Sequence, residues 1–510
     1  MKARLYLGDC LDLLRSLPDD SIDSVVTDPP YGLGKPPKTV DVLEAWLAGE
    51  KAEVSGGGFM GKEWDAFVPG PRIWREVLRV TKPGGHAIVF AGTRTLDWMT
   101  MACRLAGWEV RDSGVWCYWS GFPKSLDVSK AIDRRGGACA DFADFRDCLI
   151  QKMKANGVTR KKLSARLGNH MLSHYLTFGS QPSIPNRRDY IIIRDCVGLG
   201  NKWDDLFLEE AGREVVGRRT TGIGTGRGPA SIMGDGNRDI TAPATDDAKR
   251  WEGWGTALKP AWEPWVVLRK PLEGTVAANV LKWGTGAVNV DGCRFKPGDP
   301  MWPGPHDGWS RGGGVKQTGI TGSGSGSGAE LYGNRGGERN GWHDDGRWPA
   351  NLVHVAKPSR SERGRGLGRI PARKGHEAVG RQEGSAGLDS PRTGAGRSAG
   401  DLKNDHPTVK PVRLMRWLVR LTTPPGGTVL DPFMGSGTTG AAACGQGFDF
   451  IGADLSARFV AIAHERIRHS APGVEIDAPQ EAVEILGETD APTLWDTLGA
   501  TRGLEGVERD

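Results

Sequence analysis

Apolar positions alternate between two spacings along the first 120 residues. Ile22, Val25 and Val26 form a short apolar run that stops at Asp28 before two prolines, which end a strand because proline cannot donate to a ladder. In PRIWREVLRVTKPGG the positions Ile73, Trp74, Val77, Leu78 and Val80 share one helical stripe, closed by Pro83, Gly84 and Gly85. HAIVFAG reads as a buried strand, the stretch from about Thr95 to Ala106 as a helix, and Val110 to Trp119 as a further strand. The alternation returns near the C-terminus. KPVRLMRWLVRLTTPPGG is an amphipathic helix, GTVLDPF a buried strand, GSGTTGAAACGQG a glycine turn opening a helix, FIGADL a strand, and ARFVAIAHERI the helix behind it. Strands and helices in turn predict an α/β fold built on a mostly parallel sheet.

The stretch between these blocks breaks the pattern. Residues 141 to 200 read as helical and basic, 251 to 295 as Trp-rich with short strands, and 296 to 405 as dominated by Gly, Ser and Arg, with the flexible run GSGSGSG at Gly322 to Gly328. From Ala471 the chain is acidic and poor in aromatics, a tail expected to be loosely docked or disordered.

Composition narrows the class. A chain of 510 residues with 38% hydrophobic residues can bury two or more folded units. The 75 glycines are uneven and show no Gly-X-Y period, which excludes collagen. Lys+Arg 67 against Asp+Glu 62 leaves +5, which permits a polyanionic partner without requiring one. Eight cysteines without a C-x-x-C pair read as reduced thiols, and no run of about 18 apolar residues is present. A soluble cytoplasmic protein without membrane attachment is expected.

Two motifs sit where strands are predicted to end, the place where open α/β sheets hold ligands. Asp28-Pro29-Pro30-Tyr31 is rigid because both prolines fix φ, so a carboxylate and carbonyls are held beside an aromatic face, a clamp suited to a flat amine-bearing ring. An ordinary strand-ending turn is the alternative for this tetrapeptide alone. Asp431-Pro432-Phe433-Met434-Gly435-Ser436-Gly437-Thr438 follows an apolar strand and opens a helix, so its glycines allow close backbone approach to a ligand. The loop is neither the dinucleotide fingerprint nor a P-loop, which disfavours pyrophosphate. Asp454 ends the next strand, 17 residues past Gly437, and suits the two hydroxyls of a ribose.

Together these pieces resemble the S-adenosyl-L-methionine-dependent amino-group DNA methyltransferases, with DPPY as catalytic motif, DPFMGSGTT as cofactor loop and HPTVKP (His406 to Pro411) just before it. DPPY precedes the cofactor loop, which matches the circularly permuted β-type order. The resemblance covers roughly residues 1 to 125, 255 to 295 and 405 to 467. It implies a Rossmann-like methyltransferase fold, a mostly parallel seven-stranded sheet with an inserted DNA-recognition region. It places Asp431, Phe433, Gly435 and Gly437 around the cofactor and Asp454 on its ribose, with Thr408 and Lys410 closing the pocket. Asp9 and Cys10, in the opening Gly8-Asp9-Cys10-Leu11, would lie near its adenine, a simple turn being the alternative. Asp28 and the Pro29 carbonyl would accept the two amino N–H bonds of a flipped base while Tyr31 stacks on its ring. Asp rather than Ser at the first position favours adenine N6 over cytosine N4 in this family. A catalytically silent DNA-binding protein of the same fold is the rival of another class. The family's partners are double-stranded DNA and, in restriction systems, a cognate endonuclease; monomer and dimer both stay open.

The expected organisation is 1–135 catalytic with DPPY, 136–250 an insertion, 251–295 strands completing the sheet, 296–404 target recognition and flexible Gly/Arg-rich chain, 405–470 catalytic with the cofactor loop, and 471–510 the acidic tail. Within the insertion, Leu163 and Leu167, then Leu172, Tyr175 and Leu176, mark two short helices around Gly168-Asn169, resembling a helix-turn-helix. Lys161, Lys162, Arg166 and His174 then face outward towards DNA; a helical hairpin packed on the catalytic domain is the alternative. His170 and His174 have no third ligand nearby, so no metal is expected. The arginines from Arg360 to Arg397 read as a linker that attracts phosphate, and Trp251, Trp254, Trp262, Trp265 and Trp283 as core residues.

Overall fold

In a computed structural model of the chain, the residues described are 1–34, 37–52, 65–121, 125–135, 139–168, 171–176, 185, 187–204, 214–220, 237–296, 298–302, 346–374, 377 and 402–487. The chain forms two compact units, one of Met1–Ser120, Ala261–Ala372 and Lys403–Asp510, the other of Gly121–Pro260 and Arg373–Leu402.

The first unit is a nine-stranded sheet flanked by helices. Its strands are β1 (Lys2–Leu7), β2 (Ile22–Thr27), β3 (Thr81–Phe90), β4 (Glu109–Cys117), β7 (Trp262–Arg269), β8 (Leu352–His354), β9 (Thr428–Asp431), β10 (Asp449–Asp454) and β11 (Glu475–Asp477); β5 (Val215–Thr220) and β6 (Asn237–Thr241) form a hairpin in the second unit. The order is β11-β1-β10-β9-β2-β3-β7-β4-β8, parallel throughout except for β7, which runs antiparallel between β3 and β4. Seven strands were expected. The two extra ones are three-residue edges, too short to show a period.

Local sequence explains most elements. Helix Pro71–Val80 starts with proline at its first turn and buries Trp74, Val77 and Val80, three positions of the predicted stripe. It ends before the expected stop: β3 begins at Thr81, and Pro83, Gly84 and Gly85 lie in its irregular first half, where the register shifts. A side chain at Gly84, φ 75°, would meet the Asn279 amide, whose Nδ2 donates to the Pro83 and Thr285 carbonyls. The glycine therefore serves close packing rather than helix termination.

β9 and β2 are neighbours, pairing Val429 with Ser24 and Leu430 with Val25. From β9 the chain crosses by helix Thr438–Cys444 to β10 on one side; from β2 it proceeds to β3 on the other. This is a topological switch point, where a crevice opens beyond the carboxyl ends of the strands. Both motifs stand there, Asp28 after β2 and Asp431 at the end of β9. Because β7 is antiparallel, its first residues, including Glu263, arrive at the same sheet edge.

Three expectations about the outer chain are corrected. The acidic tail is folded as far as residue 487: β11 pairs with β1, and helix Gln480–Ile485 buries Ala482 and Val483. Residues 488–510 lie outside the described residues. Residues 346–372, assigned to target recognition and linker, belong to the sheet unit, where β8 pairs with β4 and Leu367 and Ile370 are buried. Among the tryptophans expected in the core, Trp265 is buried, whereas Trp251, Trp254 and Trp262 are exposed. The region 251–295 holds one long strand, helix Val276–Trp283 and a short 3-10 turn rather than several short strands.

In the second unit, helices Cys139–Ala155, Arg160–Leu167 and Arg187–Val197 pack around Leu149, Leu163, Leu167 and Tyr190. Thr159 caps Arg160–Leu167 at its N-terminus and Gly168, φ 64°, ends it. Leu163, Leu167, Leu172, Tyr175 and Leu176 are buried and Lys161, Lys162 and Arg166 exposed. The second predicted helix is one turn, Leu172–Tyr175, among the described residues, which do not include the His174 side chain or His170.

Arg369 tests the docking of 346–372. Its guanidinium makes two hydrogen bonds, 2.6 and 3.1 Å, to the buried Glu465 carboxylate on helix Ala457–Ser470. Arg369→Ala should lower unfolding free energy by about 1–3 kcal/mol, the cost of removing one partner of a buried charged acceptor, with Arg468 and His464 still in contact with the carboxylate. Equilibrium denaturation measures it; a linker arginine would leave the midpoint unmoved.

Candidate active site

Asp28 stands immediately after β2 at the switch point. Two interactions fix the backbone behind it: Thr95 Oγ1 donates to the Tyr31 carbonyl at 2.6 Å, and the Asp65 carboxylate accepts from the N–H groups of Tyr31 (2.9 Å) and Gly32 (3.0 Å). One Asp28 oxygen, Oδ2, accepts from Lys410 Nζ; the other, Oδ1, is buried with no hydrogen-bond partner. A buried acceptor without a partner is costly, so this oxygen is open to a donor.

Lys410 is 4% exposed and Nζ meets three oxygens: Asp28 Oδ2, Glu263 Oε2 at 3.2 Å and Tyr31 OH at 3.1 Å. Tyr31 OH in turn lies 3.3 Å from Glu263 Oε2. The faces of Phe90 and Tyr31 surround the ammonium at 5.0 and 5.2 Å. On the outer side, Lys357 Nζ contacts Glu263 Oε1 at 3.4 Å and sits 4.0 Å over the Tyr118 ring. The charges therefore alternate: Asp28 negative, Lys410 positive, Glu263 negative, Lys357 positive.

The two carboxylates titrate differently. Burial, opposed by Lys410 and reinforced by Glu263, raises the Asp28 carboxyl. Burial also pushes Glu263 up, but Lys410 and Lys357 outweigh it and hold that carboxyl below its ordinary value. Lys410 is lowered by burial and raised further by its two carboxylates, so its ammonium stays charged. Asp28 is thus the better proton acceptor and Glu263 the permanent counter-ion.

The five residues expected to hold a cofactor from the glycine loop and the end of the next strand separate into three groups. Asp431 is spent inside the fold: Oδ1 accepts from Thr27 Oγ1 (2.6 Å) and the Phe433 N–H (3.1 Å), Oδ2 from Thr439 Oγ1 (2.6 Å). It shapes the loop and has its carboxyl pushed by burial to about 6. Gly437, φ 72°, lies where a Cβ would fall 2.5 Å from that of Ala463, and Gly435, φ 50°, where one would strike the His406 ring at 2.6 Å. Both glycines answer to neighbours inside the unit. Phe433 and Asp454 remain half-buried at the strand ends; Asp454 accepts from the Ser456 N–H at 2.8 Å, and burial lifts its carboxyl to about 6.

Lys410 was expected to close the cofactor pocket; its ammonium contacts the Asp28 cluster. Pro411, extended at φ −66° and ψ 130°, caps helix Val412–Thr422 and sets Lys410 just outside it, beside the end of β2. Thr408 is exposed, its N–H directed at His406 Nδ1 (3.4 Å). Asp9 is an exposed helix cap that accepts from the Leu11 N–H at 2.8 Å, the turn reading of that motif, and burial pushes the Cys10 thiol up to about 12. Arg363, read as linker, donates to the His406 carbonyl.

Glu263 and Lys357 went unnoticed in the sequence. A usable signal existed for Glu263, the single acid flanked by tryptophans and proline in W-E-P-W at the start of an apolar strand. Nothing local marks Lys357.

Residues 341–465, which contain His406, Lys410, Asp431, Gly435 and Asp454, match the family described as DNA methylase. The chain is 33% identical over 104 residues to the type II methyltransferase M.HinfI of Haemophilus influenzae, covering 19% of this chain and 29% of that protein. It is 39% identical over 67 residues to the DNA adenine methyltransferase YhdJ of Escherichia coli, covering 13% and 23%. It therefore spans less than a third of the length of these curated relatives. Among solved structures, the cytosine-N4-specific PvuII DNA methyltransferase superposes with a TM-score of 0.38 at 12% identity, covering 96% of this chain and 92% of that one.

His406 supplies a pH test. Burial, together with the charges of Arg363, Lys410 and Arg466, lowers its imidazole from 6.5 to about 3. The unfolded chain therefore takes up this proton first. The contribution to stability is complete above pH 6.5 and is lost as pH falls towards 3, at up to about 1.4 kcal/mol per pH unit. Ring nitrogen NMR should find His406 neutral at pH 5, and His406→Gln should flatten the acid side of the stability curve.

Proposed function

We propose that the chain transfers a methyl group from S-adenosyl-L-methionine to the exocyclic N6 amino group of adenine in a specific DNA sequence. The observation that carries this reading is Asp28 Oδ1, a buried acceptor without a hydrogen-bond partner on a carboxylate that shares Lys410 Nζ with the Tyr31 hydroxyl, at the switch point of a mostly parallel sheet. An exocyclic amino group is a weak nucleophile because its lone pair is delocalised into the ring. Asp28 Oδ1 accepting one amino N–H localises that pair on nitrogen, and Tyr31 holds the ring flat. As nitrogen gains the methyl it loses a proton, and the raised proton affinity of Asp28 suits it to receive that proton. Burial of the oxygen keeps water from competing. A paired base cannot reach this depth, so the target base is flipped out of the duplex.

The chain's residues fit the cofactor. Bound there, S-adenosyl-L-methionine supplies an electrophilic methyl group on a sulfonium. The half-buried Asp454 carboxylate, raised by burial, is suited to accept from ribose hydroxyls, and the half-buried Phe433 offers an apolar wall. The DNA methylase match over 341–465 and the relatedness to an adenine methyltransferase support the reading. Cys10, just beyond β1, has its thiol held protonated, which disfavours attack on a ring carbon. The exposed Lys161, Lys162 and Arg166 in the second unit are suited to phosphate contact.

Nucleoside mass spectrometry of DNA from cells expressing the chain should find N6-methyladenine and no 5-methylcytosine. N4-methylcytosine would keep the mechanism and change the base. Asp28→Ala should abolish transfer with cofactor affinity near normal, whereas Asp454→Ala should weaken the cofactor roughly ten- to a hundredfold, the worth of a charge-assisted hydrogen bond of about 1.5–3 kcal/mol. Calorimetric titration with S-adenosyl-L-methionine checks both.

Replacing Lys161 and Lys162 by Ala should reduce the slope of log DNA affinity against log salt by roughly 0.9 per lost phosphate contact and leave cofactor binding unchanged. A helical hairpin without DNA contact would leave the slope intact.

A further inference from the structure

Two carboxylates share one buried ammonium, and only Asp28 carries an oxygen without a hydrogen-bond partner. Glu263 makes no such offer: Oε2 faces Lys410 Nζ at 3.2 Å and Tyr31 OH at 3.3 Å, and Oε1 faces Lys357 Nζ at 3.4 Å. If Asp28 were the only counter-ion of Lys410, protonating it would leave a 4%-exposed ammonium without a charge partner, and that cost would oppose each transfer.

We infer that Glu263 is a positioning residue of the methyl-transfer site, the fixed counter-ion that keeps Lys410 in place while Asp28 changes protonation. This rests on the proposed amino-methyltransferase function. The balance is simple. Before transfer the trio carries two negative charges and one positive; after transfer the proton from the amino nitrogen is on Asp28, and Lys410 and Glu263 remain a neutral pair. The proton then leaves Asp28 for solvent with the product. Glu263 acts on Asp28 through its charge, making it a stronger base than Lys410 alone would allow. Tyr31 OH, bonded to both Lys410 and Glu263, ties the ring that faces the base to the same network.

The groups facing this trio come from five segments: Asp28 and Tyr31 after β2, Glu263 in β7, Tyr118 after β4, Lys357 after β8, and His406 and Lys410 before helix Val412–Thr422. Asp431, ending β9, adds a neighbouring carboxyl. Among the described residues, only Asp28 and Glu263 are carboxylates in contact with Lys410. Activity requires ionised Asp28, so the rate falls as pH drops through its pKa. Removing the Glu263 charge lowers that pKa, and the acid limb moves to lower pH while the plateau falls because the base is weaker.

The experiment is a single-turnover pH profile of DNA methylation by full-length wild type, Glu263→Gln, Glu263→Asp and Lys357→Met, with calorimetric S-adenosyl-L-methionine affinity and a thermal melt for each. For Glu263→Gln the acid limb should move down by about one pH unit, the scale of one close charge, with cofactor affinity unchanged and the limb partly restored in Glu263→Asp. Lys357→Met, at a half-exposed site, should move the limb the other way by less, which keeps the test valid if Glu263→Gln folds poorly. Unmoved limbs in a methylating wild type and its folded variants would overturn the role of Glu263 alone. A wild type that binds no S-adenosyl-L-methionine and methylates no base would overturn the proposed function and this inference with it.

Discussion

The burial of the Lys410 ammonium is the constraint around which the first unit is arranged. An ammonium out of water costs several kcal/mol unless closely paired, and this one is paired by residues 147 to 382 positions away in sequence, Glu263 and Asp28. Two conditions must hold for the pairing to exist. β7 must run antiparallel, so that its first residues reach the edge where the parallel strands end, and helix Val412–Thr422 must begin just after Lys410. The sheet order and the site are therefore one arrangement seen at two scales.

Around that pair, polar side chains divide between building and offering. Asp431 accepts hydrogen bonds from the Thr27 hydroxyl, the Phe433 N–H and the Thr439 hydroxyl, and so ties the glycine loop to β2 across the switch point. Asp65 and Thr95 hold the backbone at Tyr31. Among the described residues, one oxygen of Asp28 is left without a partner, and Asp454 and Phe433 are half-buried at the strand ends.

The glycines of the loop illustrate how one pattern can have more than one physical cause. Close approach to a ligand is the usual reading of G-x-G before a helix. Here Gly437 makes room for Ala463 and Gly435 for the His406 ring, so helix Ala457–Ser470 and the segment before Lys410 can close on the loop. The left-handed backbone at both positions disfavours other residues, and the close neighbours of a Cβ add to this, independently of any ligand.

The alternation of strands and helices, the limits of most of them, and the position of both motifs at strand ends followed from local sequence, because period-2 and period-3.6 patterns and turn residues act over a few neighbours. The rigid turn at Asp28 was legible for the same reason, since Pro29 and Pro30 fix their own φ and restrict the residue before them, whereas Tyr31 is held by Asp65 and Thr95. Tertiary structure alone decided which charges meet. Lys410 sits against Asp28, Glu263 completes the cluster, Arg369 turns from supposed linker into the partner of Glu465, and the edge strands β8 and β11 form from three residues each. Each of these depends on a contact across the sheet or between distant segments. An electrostatic partner leaves no periodic mark in the chain, because the free energy that selects it arises only once both groups are withdrawn from water.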